Sequence, residues 1–96
     1  PVNAIKKAQN YIAKDPYRES AKTLAELVLT LESHEPFPLD KLYELDLERF
    51  NLAMEILREW RLDRYYAGKS KLYDLSLQTQ DLHDQADEGT EAAAKD

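Results

Sequence analysis

An all-α single small domain of four to five helices, followed by a disordered acidic C-terminal tail, is the fold class that three observations predict. Apolar residues recur at intervals of three and four along most of the chain, the spacing of one helix face. Only 2 Gly and 4 Pro occur in 96 residues, and they fall where elements should end. The one stretch that alternates as a strand would has no second strand to pair with. A chain of this length builds one modest core. The helical domain is assigned to residues 1–83 and the tail to residues 84–96.

Val2, Ile5, Ala8 and Ile12, separated by Lys6, Lys7, Asn10 and Lys14, predict a first amphipathic helix over about residues 3–14. Asp15-Pro16 then predicts a second helix starting at Pro16, because Asp caps well and Pro at the first helical position lacks only a hydrogen bond that would be unmade anyway. Its apolar set is Tyr17, Ala21, Leu24, Val28 and Leu31, widened by Ala25 and Leu27. Glu35-Pro36-Phe37-Pro38 breaks it, since each residue before Pro is pushed out of the α region.

Pro38 opens a short third helix through Leu39, Leu42, Tyr43 and Leu45. Asp46 caps a long fourth helix whose apolar set is Leu47, Phe50, Ala53, Met54, Leu57 and Trp60, expected to run to about Tyr66 and to end in a left-handed cap at Gly68. Residues 70–82 fit a helix capped by Ser70, through Leu72, Leu75, Thr79 and Leu82, while Tyr73, Leu75 and Leu77 alternate as in a strand; helix is the assignment. From Asp84 onward the only apolar residues are Ala. Such a segment cannot bury enough surface to offset its ordering entropy, hence the expected disorder.

Composition excludes several functions. No apolar run exceeds three residues, as in Leu27-Val28-Leu29, so no membrane span is expected. Residues 1–14 are polar every second or third position, unlike a secretory segment, and Cys is absent, so the expected location is cytoplasmic. The net charge of −6 counts against non-specific nucleic-acid binding. It is unevenly placed: residues 1–22 carry a net +3, residues 26–48 a net −6 and residues 58–71 a net +3. Internal pairing of these blocks is the first expectation.

Short motifs lead nowhere catalytic. Gly68-Lys69-Ser70 matches only the end of a phosphate-binding loop, with Asp63 where the upstream Gly should stand, so a helix end and a cap explain it better. His34 and His83 lack metal-ligand spacing and are expected to be exposed. No cofactor, metal or enzymatic activity is therefore expected. Residues 38–66 have the outline of a helix-turn-helix, which would present Glu48, Arg49, Asn51 and Leu52 to a major groove; its acidic surroundings count against that use.

The candidate site is Arg58, Arg61, Arg64, Tyr65 and Tyr66, following Trp60. Arg61 and Arg64 continue the angular face of Phe50, Ala53, Leu57 and Trp60, so an apolar stripe turns into an Arg stripe. Arg, Tyr and Trp are the side chains in which interfaces concentrate their binding energy. The expected function is a small non-enzymatic helical protein-interaction module whose partner is an acidic protein surface or the chain itself. The alternative is a nucleic-acid-binding helix-turn-helix.

Overall fold

A computed structural model describes residues 3–61 and 66–95, with side chains over 3–61 and 68–89. Helix α1 is Ala4–Lys14, α2 is Glu19–Ser33, a 3₁₀ helix covers Leu39–Glu44, α3 is Leu47–Trp60 and α4 is Tyr66–Lys95. The fold is all-α, with no strand among the described residues, and residues 70–82 are helical. One cluster forms the core, drawn from α1, α2, the 3₁₀ helix, α3 and α4.

Helix α1 packs against all three other α-helices. Its Ala4, Ile5, Ala8 and Ile12 are fully or almost fully buried. A helix of 11 residues is too short to hold in water unaided, and its N-terminus is anchored from a distance. Glu59 of α3, itself buried, accepts hydrogen bonds through Oε2 from the backbone N–H groups of Ala4 at 2.8 Å and Ile5 at 3.3 Å. Asn3 Oδ1 accepts from the Lys6 N–H at 3.0 Å. The amides that lack a carbonyl in a preceding turn are thus met, and a carboxylate sits at the positive end of the helix dipole.

Asp15-Pro16 acts as a turn, and α2 begins three residues later than the sequence predicts. Asp15 closes α1 in an extended conformation, and its Oδ1 accepts the Tyr17 N–H at 3.2 Å, a local ring that competes with helix initiation. Tyr17 consequently leaves the core, 58% exposed. At the other end His34 adopts φ 62°, ψ 24° and returns its N–H to the Thr30 carbonyl at 2.9 Å, the left-handed closure that precedes a chain break.

Helix α4 packs most extensively on α2. Ala21, Leu24, Ala25 and Val28 are fully buried on α2, and Leu72, Ser76 and Thr79 on α4. The two buried hydroxyls bond back within their own helix, Ser76 to the Leu72 carbonyl at 2.7 Å and Thr79 to the Leu75 carbonyl at 2.8 Å, so neither carries a desolvation penalty. His83, expected at the surface, is the next residue on this line and is buried. Its Nε2 donates to the Pro16 carbonyl at 2.9 Å, pinning the α1–α2 turn to α4.

The long fourth helix of the sequence reading is also corrected. Helix α3 stops at Trp60, and by Tyr66 the chain is already in α4, so Gly68 and Ser70 lie inside a helix and cap nothing. No described Gly has positive φ. Gly68 is needed for proximity instead: a Cβ there would stand 3.3 Å from Ile5 Cγ2, and its carbonyl accepts from Gln9 Nε2 at 2.9 Å.

Where the sequence reading ends the helical domain at residue 83, the backbone of α4 continues to Lys95. Every side chain from 84 to 89 is exposed. Residues 84–89 thus add no buried side chain to the core, as the acidic composition of the segment leads one to expect.

Two measurements check these assignments. Glu59→Ala is expected to lose about 2–3 kcal/mol in urea denaturation, because it leaves two amides without an acceptor, while Glu59→Gln, which keeps an acceptor, loses less. Ending the chain after His83 is expected to shift stability by less than about 0.5 kcal/mol, the range of substitutions remote from any core contact.

Candidate protein-interaction face

The buried line of α3 is Ala53, Ile56 and Glu59, which rotates the helix away from the stripe read in the sequence. At 100° per residue, Leu47, Phe50, Asn51, Met54, Arg58 and Arg61 fall within a sector of about 100° on the opposite, outward side. Leu47, Asn51, Arg58 and Arg61 are exposed, and Phe50 and Met54 are half-buried. Trp60, read as core, is also half-buried, with the Lys69 ammonium 5.5 Å from its ring centroid.

The N-terminal end of this face is its most apolar part. Leu39 is 71% exposed, Tyr43 81% and Leu47 74%, three large side chains within nine residues of chain. Tyr43 stacks on Phe50, with ring centroids 6.2 Å apart and an interplanar angle of 14°. Scattered exposed Leu residues are ordinary, whereas three large apolar side chains this exposed and this near in sequence are a concentration of apolar surface. Helical spacing placed Leu39, Tyr43 and Leu47 in the core. Only Leu42 of the 3₁₀ helix is buried.

Acidic residues alternate with these side chains in sequence, and Glu44 borders a cleft toward α2 with Glu19, Ser20 and Thr23. Asp40 and Glu44 are exposed and form no ion pair among the described residues. Lys41, the one cation between residues 26 and 48, is turned toward α2, its Nζ 3.1 Å from Glu26 Oε2. Among the described ion pairs Arg18 pairs with Asp15, Arg49 with Glu48 and Arg58 with Glu55, all close in sequence.

Of the sequence-predicted site, Arg58 and Arg61 stand at the C-terminal end of the same face. Arg58 Nη1 is 3.3 Å from Glu55 Oε1, with 68% of its side chain exposed. Arg61 is exposed and has no ion pair among the described residues. Arg64 and Tyr65 lie outside the described residues, and of Tyr66 only the backbone, opening α4, is described.

A polar cluster lies where α1, α2 and α3 meet, and helical spacing alone does not reveal it. The Tyr11 hydroxyl is 2.5 Å from Ser20 Oγ, and the guanidinium carbons of Arg49 and Arg18 stand over its ring at 4.3 and 4.6 Å. Burial pushes the phenol up, but the polar pull of Ser20, then Arg49 and Arg18, overrides it and holds Tyr11 below its ordinary 10.0. Tyr11 borders a cleft of about 450 Å³ between α1 and α3, with Lys7, Arg49 and Asn51 among its walls. Arg49 Nε is buried without a hydrogen-bond partner, which fits a cation held by ring faces and by Glu48. The cluster ties three helices together, and its charged groups already answer one another.

Among the described residues no three His, Cys, Asp or Glu side chains gather as metal ligands. No described helix is long and apolar enough to cross a membrane. Compared with known proteins, the chain matches no family model, no curated protein and no solved structure. Fold and surface together define a small helical domain whose described residues include an exposed apolar stretch at Leu39, Tyr43 and Leu47.

The Tyr11 cluster makes a pH-dependent prediction. Between the lowered folded value and 10.0, the unfolded state binds the proton that the folded state has released, so this group's contribution rises with pH and is complete only above 10.0. The stability difference between the native chain and Tyr11→Phe, about 1 kcal/mol from lost hydrogen bonding at neutral pH, is expected to widen toward alkaline pH in parallel urea melts. A difference that stays flat or narrows counts against the assignment.

Proposed function

We propose that this protein is a small, non-enzymatic protein-interaction module whose docking face is the outer side of α3 together with the 3₁₀ helix before it. The observation that carries the reading is the exposure of Leu39, Tyr43 and Leu47, each above 70%. Burying such side chains against a partner releases roughly 1.5–3 kcal/mol apiece before association costs. The Arg end of the face adds planar donors on long stems that also cover apolar surface.

Helix-turn-helix use is the weaker reading. The element preceding α3 is a six-residue 3₁₀ helix, and of Glu48, Arg49, Asn51 and Leu52, the side chains that would meet the bases, Arg49 and Leu52 are half-buried at the cleft against α1. Arg49, the one cation among them, is engaged by Tyr11 and Glu48. Asp40, Glu44 and Asp46 would face phosphates at a cost in affinity.

A photo-crosslinking amino acid in place of Tyr43, compared in cells with the same group in place of exposed Lys14, tests the proposal. Discrete protein adducts, self-adducts included, are expected at 43 and not at 14. Adducts that are absent at 43, or identical at both positions, refute a docking face here. A mixed-sequence duplex is expected to leave the domain unbound at physiological salt.

A further inference from the structure

Resting on the docking face just described, we infer that its occupant is an amphipathic helix of another protein, acidic in its first turns and apolar beyond them, lying antiparallel along the outer side of α3. The outer sector of α3 sets this chemistry. Leu47, Phe50, Asn51, Met54, Arg58 and Arg61 fall within about 100° of one another, and no acidic residue of α3 shares that sector. Its N-terminal half is apolar: Leu47 is 74% exposed, and Tyr43, 81% exposed, stacks on Phe50. Its C-terminal end carries Arg58 and Arg61, 11 and 14 residues beyond Leu47, or roughly 16 and 21 Å along the axis.

Both arginines are open to a new partner. Arg61 is exposed and has no ion pair among the described residues, and Arg58 has only its contact with Glu55, in which 68% of the arginine side chain is exposed. A pair so exposed contributes little and exchanges readily for a better-placed carboxylate. Guanidinium groups meet carboxylates through two parallel N–H···O bonds, and their long stems lie over apolar neighbours. Phosphates of a nucleic acid would meet the same two cations, but its backbone has no apolar counterpart for Leu47, Phe50 and Met54. Repulsion between an acidic partner and a chain of net charge −6 is screened beyond about 8 Å at physiological salt, so the nearest charges decide.

The backbone selects a helix. The side of α3 offers no free row of N–H and C=O groups, so a segment laid on it must satisfy its own. Direction follows from charge. The arginines stand at the C-terminal end of α3, where the helix dipole is negative. A partner running the opposite way brings there its positive N-terminus and the acidic side chains favoured in a first turn. Its later turns then cover Phe50, Leu47 and Tyr43 with apolar residues at intervals of three and four.

Selection of a displayed library of random peptides of about 20 residues, roughly 30 Å as helix, on the full chain is the test. Enriched peptides are expected to carry Asp or Glu in their first two turns and apolar residues at helical spacing after them. Made synthetically and labelled, they are expected to bind at least about tenfold more weakly to Arg58→Glu/Arg61→Glu and to Tyr43→Ala. All three substituted side chains are exposed, and circular dichroism melts check that both variants remain folded.

Peptides enriched without acids, or bound equally well by the arginine variant, overturn the acidic-helix inference; if they still lose affinity for Tyr43→Ala, the docking face stands without it. Acids enriched in the last turns overturn the antiparallel direction. Peptides indifferent to Tyr43→Ala overturn the inference and the face together. A library that yields no binder overturns the inference, and the crosslinks at position 43 then judge the face alone.

Discussion

The carboxylate of Glu59 on the first amides of α1 is the contact on which the rest of the architecture depends. Helix α1 is short and lies against all three other α-helices, so fixing its start fixes the position of Ile5, Ala8 and Ile12 in the core. From that anchor the close approach of Gly68 to Ile5 becomes possible, bringing α4 onto α1. Near the other end of α1, Tyr11 gathers Ser20 and Arg18 from the start of α2 and Arg49 from α3. A short helix clamped at both ends by long-range polar contacts can then serve as the centre of a small core.

The same arrangement decides what remains uncovered. Helix α3 turns Ala53, Ile56 and Glu59 inward to meet α1, and that rotation commits Leu47, Asn51, Arg58 and Arg61 to the outside. The side of α3 that anchors α1 thus determines which side stays exposed. The described ion pairs of Arg18, Arg49 and Arg58 are with residues close in sequence, within α3 or in the turn before α2.

Half of the proposed face was legible beforehand. Arg61 stood out because, with Arg64, it continued an apolar stripe as charge, and Arg58 lay at the rim of that patch. Leu39, Tyr43 and Leu47 were hidden by the same rule, since apolar residues at helical spacing read as core unless something shows that no element covers them. Glu59 gave a faint signal, an acid three residues beyond Ile56 on a helix otherwise apolar on that side. Among nineteen acidic residues nothing distinguished it as the one whose partner lay 55 residues away.

By itself the sequence determined the all-α class, the apolar line of α1, the stripe of α2 from Ala21 to Val28, the break at Pro36 and Pro38, the cap at Asp46 and the acidic composition that keeps residues 84–89 out of the core. Each of these follows from hydrogen bonds and sterics within a few residues of chain. The tertiary structure alone decided the rotation of α3, the burial of His83, the exposure of Tyr17, the inward turn of Lys41 and the role of Gly68. Periodicity defines that a helix has an apolar side, but its phase against the core is set by whichever neighbours pack there, and those contacts join residues far apart in sequence.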